Sequence, residues 1–241
     1  PLQDIQVFCT WRRAIALRNR TTMRKSRLGR EIPRVALLLE TSREVGRGIL
    51  RGILRYARLH GPWALHVMPG DIEQVWPAVN AWGGTGIIAR ISKDRIAQTI
   101  LHSGLPTIAV DLGKEQLEPS NPLSHLPELC VNSRAVGLAA AEHLLERKLP
   151  HYGYVREIHN IPWSQRREQA FCERLAQAGV SCNVYKEPPP SARKWGHEQE
   201  RLSKWLRKLP KPIGLLAAMD IRGRQVTEAC LESSLRVPED I

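Results

Sequence analysis

Two short runs in this chain hold side chains of the kind that recognise polyhydroxylated ligands. Trp163-Ser164-Gln165-Arg166-Arg167-Glu168 opens one helical pattern, and Met219-Asp220 stands at the start of another. Arg90, Asp111 and Glu40-Thr41-Ser42-Arg43 each follow a short apolar run. Carboxylate and guanidinium groups form charge-assisted hydrogen bonds with hydroxyls, and an indole covers the apolar face of a sugar ring. The mixture suits sugar binding. Each residue also has an ordinary use, Asp220 as a helix cap and Arg167 as a solvated helix residue. Only a fold that gathers them makes a site.

Other chemistries find less support. Gly46-Arg47-Gly48 and Gly52 read GxGxxxG, but the first glycine comes seven residues after Leu39 instead of directly after it. The third glycine is one place late for a dinucleotide loop, so these glycines read as close helix packing or a mobile turn. No GxxxxGK[ST] or GxSxG is present. Cys9, Cys130, Cys172, Cys182 and Cys230 form no CxxC, and His197-Glu198 begins an HExxH that Arg201 breaks. The expectation is a binding protein, not an enzyme, with no metal and no cofactor. The cysteines read as small buried hydrophobes in a reducing compartment.

The elements that must position these residues alternate in type. Val35–Leu39, Trp63–Met68, Gly86–Ala89, Pro106–Val110, Leu129–Val131, Tyr152–Val155, Cys182–Tyr185 and Ile213–Ala217 are runs of strand length. Between them, Val45–Leu59 sets Val45, Ile49, Ile53, Leu54 and Ala57 at helical spacing. Helical patterns also cover Ile72–Trp82, Lys93–His102, Arg134–Glu146, Gln165–Ala178, His197–Lys208 and Arg222–Glu232, while Pro188-Pro189-Pro190 marks a loop. Strands separated by helices imply parallel βαβ units with right-handed crossovers. They close into a barrel or form two open, doubly wound sheets; the polar loop Gly113–Pro127 near the middle favours two lobes. Open α/β sheets bind ligands at the carboxyl ends of their strands. The residues singled out above lie at such ends.

Composition bounds the rest. With 241 residues, 42% of them hydrophobic, the chain is long enough for a substantial core and too apolar for disorder throughout. No apolar run approaches the roughly 18–20 residues that cross a bilayer. The formal charge is +12, yet residues 1–34 carry +7 of it and the other 207 residues only +5. Residues 1–33 therefore read as a basic leader, disordered and without signal-peptide character, with a nucleic-acid-binding arm as the functional alternative.

From Arg34 to Ile241 the chain resembles the effector domain of bacterial xylose operon regulators (XylR), relatives of LacI-type repressors and periplasmic sugar-binding proteins. The resemblance rests on Arg34-Val35-Ala36-Leu37-Leu38-Leu39 with Arg47 and Gly52-Ile53, then Gly86-Ile87-Ile88-Ala89, then Ala141-Glu142-His143-Leu144-Leu145. The block Trp163…Arg167-Glu168…Ala170-Phe171 follows. The long run from Trp195 through Leu202, Trp205-Leu206, Leu209-Pro210, Gly214, Ala217, Asp220, Arg222, Arg224 and Cys230 to Val237-Pro238-Glu239 is the most specific part.

The resemblance implies an α/β, two-lobed fold of the type I periplasmic-binding-protein kind, with an N-terminal lobe over 34–131 and a C-terminal lobe over 132–241. That second lobe is expected to be truncated, and the AraC-type pair of helix-turn-helix units that such regulators carry would lie beyond Ile241. It implies a pentose effector, D-xylose, bound between the lobes, a homodimer, DNA as the partner of the missing part, and a cytoplasmic location. Arg167 reaches the sugar and Asp220 accepts from its hydroxyls. Asn132 stands where the family often has Asp, keeping an acceptor without the charge. Trp163, Arg90 and Ser42 complete the expected pocket, with Arg43 beside them. The alternatives are a periplasmic-type sugar-binding protein and a sugar- or nucleotide-dependent enzyme.

Deleting residues 1–33 separates the sensor from the basic-arm reading. The sensor reading expects sugar binding to persist unchanged; a nucleic-acid arm instead shows a loss of DNA affinity and a shallower dependence on salt.

Overall fold

Val35, Ala36 and Leu37 are three consecutive buried residues, and such a run is stable as a strand only where both sheet faces are covered. The computed structural model describes residues 32–67, 81–157, 161–186 and 195–241. Most of the expected leader, most of the helical pattern 72–82, and Pro188-Pro189-Pro190 lie outside the described residues. The chain divides into two compact units, Pro1–Val131 and Asn132–Ile241.

In the first unit the strands are β1 (Arg34–Leu38), β2 (Ala64–Val67), β3 (Gly86–Arg90), β4 (Thr107–Val110) and β5 (Glu128–Leu129). They form one parallel sheet in the order β2-β1-β3-β4-β5. Helix α1 (Glu44–His60) follows β1, and α2 (Asp94–Ser103) follows β3. The expected loop at 113–127 contains two 3-10 turns, Glu115–Leu117 and Pro122–His125. The strand period of two sorts the core: Ile87, Ala89 and Ala109 join Ile96, Ile100 and Leu123, while Ile88 and Val110 join Val35, Leu37 and Ile53.

The second unit has α3 (Ser133–Glu146), β6 (His151–Val155), α4 (Pro162–Gln177), β7 (Cys182–Tyr185), α5 (Trp195–Lys208), β8 (Ile213–Ala217) and α6 (Asp220–Glu232). Its three strands are parallel, in the order β7-β6-β8. Tyr152 and Tyr154 pack with Phe171 and Leu175, and Val155 and Ile213 pack with Leu202, Leu206 and Val226. Both sheet faces are again buried.

One helix departs from its expected face. Along α1 only Ile53 and Ala57 are buried, while Val45 is 49% and Leu54 38% exposed. At about 100° per residue, Val45 and Leu54 lie roughly 80–100° to either side of the line through Ile53 and Ala57. The strip centred on that line, with Ile49 and Leu50 half-buried on its flanks, meets the sheet.

Helices α3 and α4 approach closely at Gly137, where an added Cβ would collide with the Arg167 carbonyl and lie 3.1 Å from the Ala170 Cβ. Two exposed ion pairs, Arg134–Glu173 at 2.9 Å and Arg174–Glu142 at 2.6 Å, flank this contact and contribute little by themselves. Backbone approach at Gly137 therefore sets the height of α4. Gly137→Ala is expected to destabilise the second unit by about 1–3 kcal/mol through overpacking, read as a lower urea midpoint at unchanged slope.

Candidate functional site

Strands β6 and β8 are neighbours whose chains depart in opposite directions, β6 toward β7 and β8 toward α6. This is a topological switch point, where an open α/β sheet leaves a crevice at its carboxyl edge. The edge is held by the Ala218 N–H, which donates to the Val155 carbonyl at 2.9 Å. Pro162 opens α4, a position where its fixed φ and missing N–H cost nothing. The buried Tyr154 hydroxyl donates to the Ser164 carbonyl at 3.1 Å and anchors that first turn to β6. Burial pushes the Tyr154 hydroxyl up to about 12.

Trp163 and Arg167 are four residues apart on α4 and so share a face. The Arg167 guanidinium lies over the Trp163 indole, 5.0 Å from its centroid, and its Nη1 donates to the Ala218 carbonyl. Asp220 is the first residue of α6, two places beyond Ala218, and it is exposed. The helix N-terminus favours its negative charge, while the N-cap itself is Met219, whose side chain makes no capping bond. The structure thus brings Arg167, Trp163 and Asp220 to one edge.

Behind that edge stands a polar network that the sequence did not single out. Arg156, just after β6, grips Glu168 through Nε at 2.5 Å and Nη2 at 2.6 Å. This paired hydrogen bond raises the Arg156 guanidinium above its ordinary range. Arg222 is buried, with only 1% of its surface exposed. Its Nε donates to the Arg156 carbonyl at 2.8 Å, Nη1 to Gln225 Oε1 at 2.6 Å and Nη2 to Glu198 Oε1 at 3.2 Å. Its guanidinium also lies 5.8 Å from the Tyr185 ring centroid. Burial, first, and Glu198, next, push the Tyr185 hydroxyl up to about 12. Glu157 Oε2 is buried with no hydrogen-bond partner among the described residues. No local spacing marks these partners: Arg156 and Glu168 are 12 residues apart, and Glu198 and Arg222 are 24 apart.

The other expected residues stand on other elements. Ser42 donates from Oγ to Glu40 Oε1 at 2.7 Å, and Arg43 Nε is 3.3 Å from the same oxygen. Arg47 closes this turn through the Thr41 and Ser42 carbonyls, at 3.1 and 2.7 Å. Gly46 sits so near the Glu40 carbonyl that an added Cβ would collide with it, so this glycine serves close helix packing. Arg90 Nη1 is 4.0 Å from Asp111 Oδ2, and the Asp111 side chain is 9% exposed. Ser42 comes after β1 and Arg90 is the last residue of β3, and these two strands are the neighbours at the switch point of the first sheet. Asn132 is the N-cap of α3, its Oδ1 accepting from the Ala135 N–H at 3.0 Å. Among the described residues no group of three His, Cys, Asp or Glu side chains could hold a metal, and no helix is long and apolar enough to cross a membrane.

Comparison with known proteins agrees with this architecture. Residues 141–241 match a periplasmic binding protein-like domain. The chain is 28% identical over 212 residues to the xylose operon regulatory protein of Haemophilus influenzae, covering 86% of this chain and 54% of that protein. Among solved structures, the xylose-binding transcription activator xylR superposes with a TM-score of 0.67 at 24% identity, over 86% of this chain and 52% of that one. A LacI family transcriptional regulator from Mycobacterium smegmatis gives 0.59 at 18% identity, over 86% and 75%. The chain is thus a homologue of xylose operon regulatory proteins, with an α/β, periplasmic-binding-protein-like fold built on parallel sheets. It spans about half the length of the curated relatives it matches.

The buried guanidinium makes this network sensitive to loss of one partner. Glu198→Ala leaves Arg222 without its counter-charge, and about 3 kcal/mol or more of stability is expected to go with it. Replacing both partners by apolar residues of similar volume, Arg222→Met with Glu198→Leu, is expected to recover most of that loss in the same urea titration.

Proposed function

We propose that residues 34–241 are the sugar-sensing part of a transcription regulator that binds a pentose, D-xylose, as its effector. Residues 34–131 and 132–241 form the N-terminal and C-terminal halves of this sensor. The observation that carries the reading is the convergence of Arg167, Trp163 and Asp220 at the carboxyl edge of β6 and β8. The similarity to named xylose regulators supports the choice of effector.

Each residue then has a distinct task. Arg167 donates to the sugar's oxygens, and Asp220 accepts from its hydroxyls; both bonds are charge-assisted and worth more than neutral ones. Trp163 holds the guanidinium in place through its ring face and offers apolar surface beside it. Arg90, Ser42 and Asn132 remain candidates for further contacts. No step breaks a covalent bond, so the protein is a binder and not an enzyme. Sugar acts by binding one conformation better than another, and it shifts their populations only by that difference. A homodimer in the cytoplasm transmits the shift to DNA, which a part of the whole protein outside these residues would read.

Calorimetric titration of the chain with D-xylose, arabinose, ribose and glucose tests this directly. Heat is expected with D-xylose above all, and silence with every sugar refutes the ligand assignment. Arg167→Ala and Asp220→Ala are each expected to cost about 1.5–3 kcal/mol of binding, tenfold or more in Kd, while the circular dichroism spectrum stays native. If both variants bind as the parent does, the site lies elsewhere.

A further inference from the structure

Glu157 comes two residues after the end of β6, at the switch point of the second sheet. Val155, the last residue of β6, pairs in register with Ala217, the last of β8. Neighbouring strands stand about 4.8 Å apart. Glu157 and Asp220 therefore depart from paired strand ends, one on each side of the crevice, and each within three residues of that pairing. The backbone of Glu157 is also tied to α4. Its N–H reaches Ser164 Oγ at 3.4 Å, and the buried Ser164 accepts from the Tyr154 hydroxyl through its own carbonyl at 3.1 Å. Glu157 is thus held beside the helical turn that carries Trp163.

Its side chain is half-buried, with Oε2 out of solvent and no described residue donating to it. The other buried side-chain oxygens without a partner among the described residues are the hydroxyls of Ser133, Tyr185, Ser203 and Ser233. Those are neutral and cost less to bury than a charged carboxylate. The remaining acids of this edge are engaged or solvated: Glu168 holds Arg156, Glu198 holds Arg201 and Arg222, and Asp220 is exposed. Arg156 adjoins Glu157 in the chain, yet it turns Nε and Nη2 to Glu168. A buried carboxylate oxygen lowers stability unless a donor meets it. The described residues supply no such donor and form no cluster that could hold a metal ion. A ligand's hydroxyl is a donor that fits this place.

We propose that Glu157 is a further carboxylate of the ligand site, its buried oxygen accepting a hydrogen bond from one ring hydroxyl of the sugar. The assignment rests on the sugar reading and adds to it a second acid, on the strand opposite the one that leads to Asp220. In the complex the bond is charge-assisted and out of water, where it is worth most. In the sugar-free protein the same oxygen lacks a donor and weakens the fold, as groups kept for function commonly do. A phosphate or carboxylate at that ring position would meet a like charge and be rejected.

The test compares the 241-residue chain with Glu157→Ala and Glu157→Gln, by calorimetric titration with D-xylose and by thermal melting without sugar. Glu157→Ala is expected to weaken binding about tenfold or more. Glu157→Gln, which keeps an acceptor but not the charge, is expected to fall between it and the parent. Without sugar, Glu157→Ala is expected to melt about 2–4 °C higher than the parent, which also shows that it folds. Four probes that each lack one ring hydroxyl (1,5-anhydroxylitol and 2-, 3- and 4-deoxy-D-xylose) then locate the contact. One of them is expected to bind the parent about tenfold more weakly than D-xylose, yet to bind Glu157→Ala nearly as well as D-xylose does. Equal D-xylose affinity in parent and variants overturns the proposal and leaves the sugar reading standing. So does a loss of affinity that is the same for all four probes, or a lower melting temperature in Glu157→Ala. Silence of the parent with every sugar refutes both.

Discussion

Each sheet is parallel throughout, so every strand-to-helix turn in a sheet leaves from the same edge. That constraint delivers Glu40–Arg43, Arg90 and Asp111 to one edge, and Arg156-Glu157 and Ala218–Asp220 to the other. Where the strand order reverses, adjacent turns diverge instead of packing on each other. In the second unit this happens between β6 and β8, with the first turns of α4 and α6 on its border. Polar residues in such turns are free to serve a ligand because the strands beneath them already satisfy the backbone.

What makes the second edge rigid is a set of buried charges. An unpaired guanidinium is costly to bury, and Arg222 is tolerated because a carboxylate, an amide oxygen, a carbonyl and an aromatic ring receive it. Its bond to the Arg156 carbonyl joins α6 to the end of β6, and the Arg156–Glu168 pair joins that strand end to α4. Asp220 is two residues from Arg222, and Arg167 is next to Glu168. The network thus places Asp220 and Arg167 by holding their neighbours, as a binding group's supporting shell should.

Net charge proved a poor guide to this organisation. Much of the +12 belongs to residues 1–34, and two of the four arginines of α1, Arg47 and Arg51, are held locally on Glu44. Exposed pairs of that kind contribute little energy and mark no partner. The arginines that matter to the architecture are Arg222, which leaves the solvent, and Arg156, which is partly withdrawn from it.

Hydrophobic periodicity alone was enough to determine the alternation of strands and helices, the parallel sheets and most element bounds, because apolar runs buried on both faces have few other uses. It also located Arg167, Trp163 and Asp220, since residues just past a strand are legible as soon as the strand is. It could not decide which side of α1 would be buried, since Val45 and Leu54 are apolar yet lie off the strip that meets the sheet. Nor could it show that Asn132 spends an oxygen on capping α3, or that Trp163 lies beneath Arg167. The Arg156–Glu168 and Arg222–Glu198 pairs were likewise decided only by tertiary structure. Their partners stand 12 and 24 residues apart on different elements, where no local period operates and only the crossover of the chain brings them together.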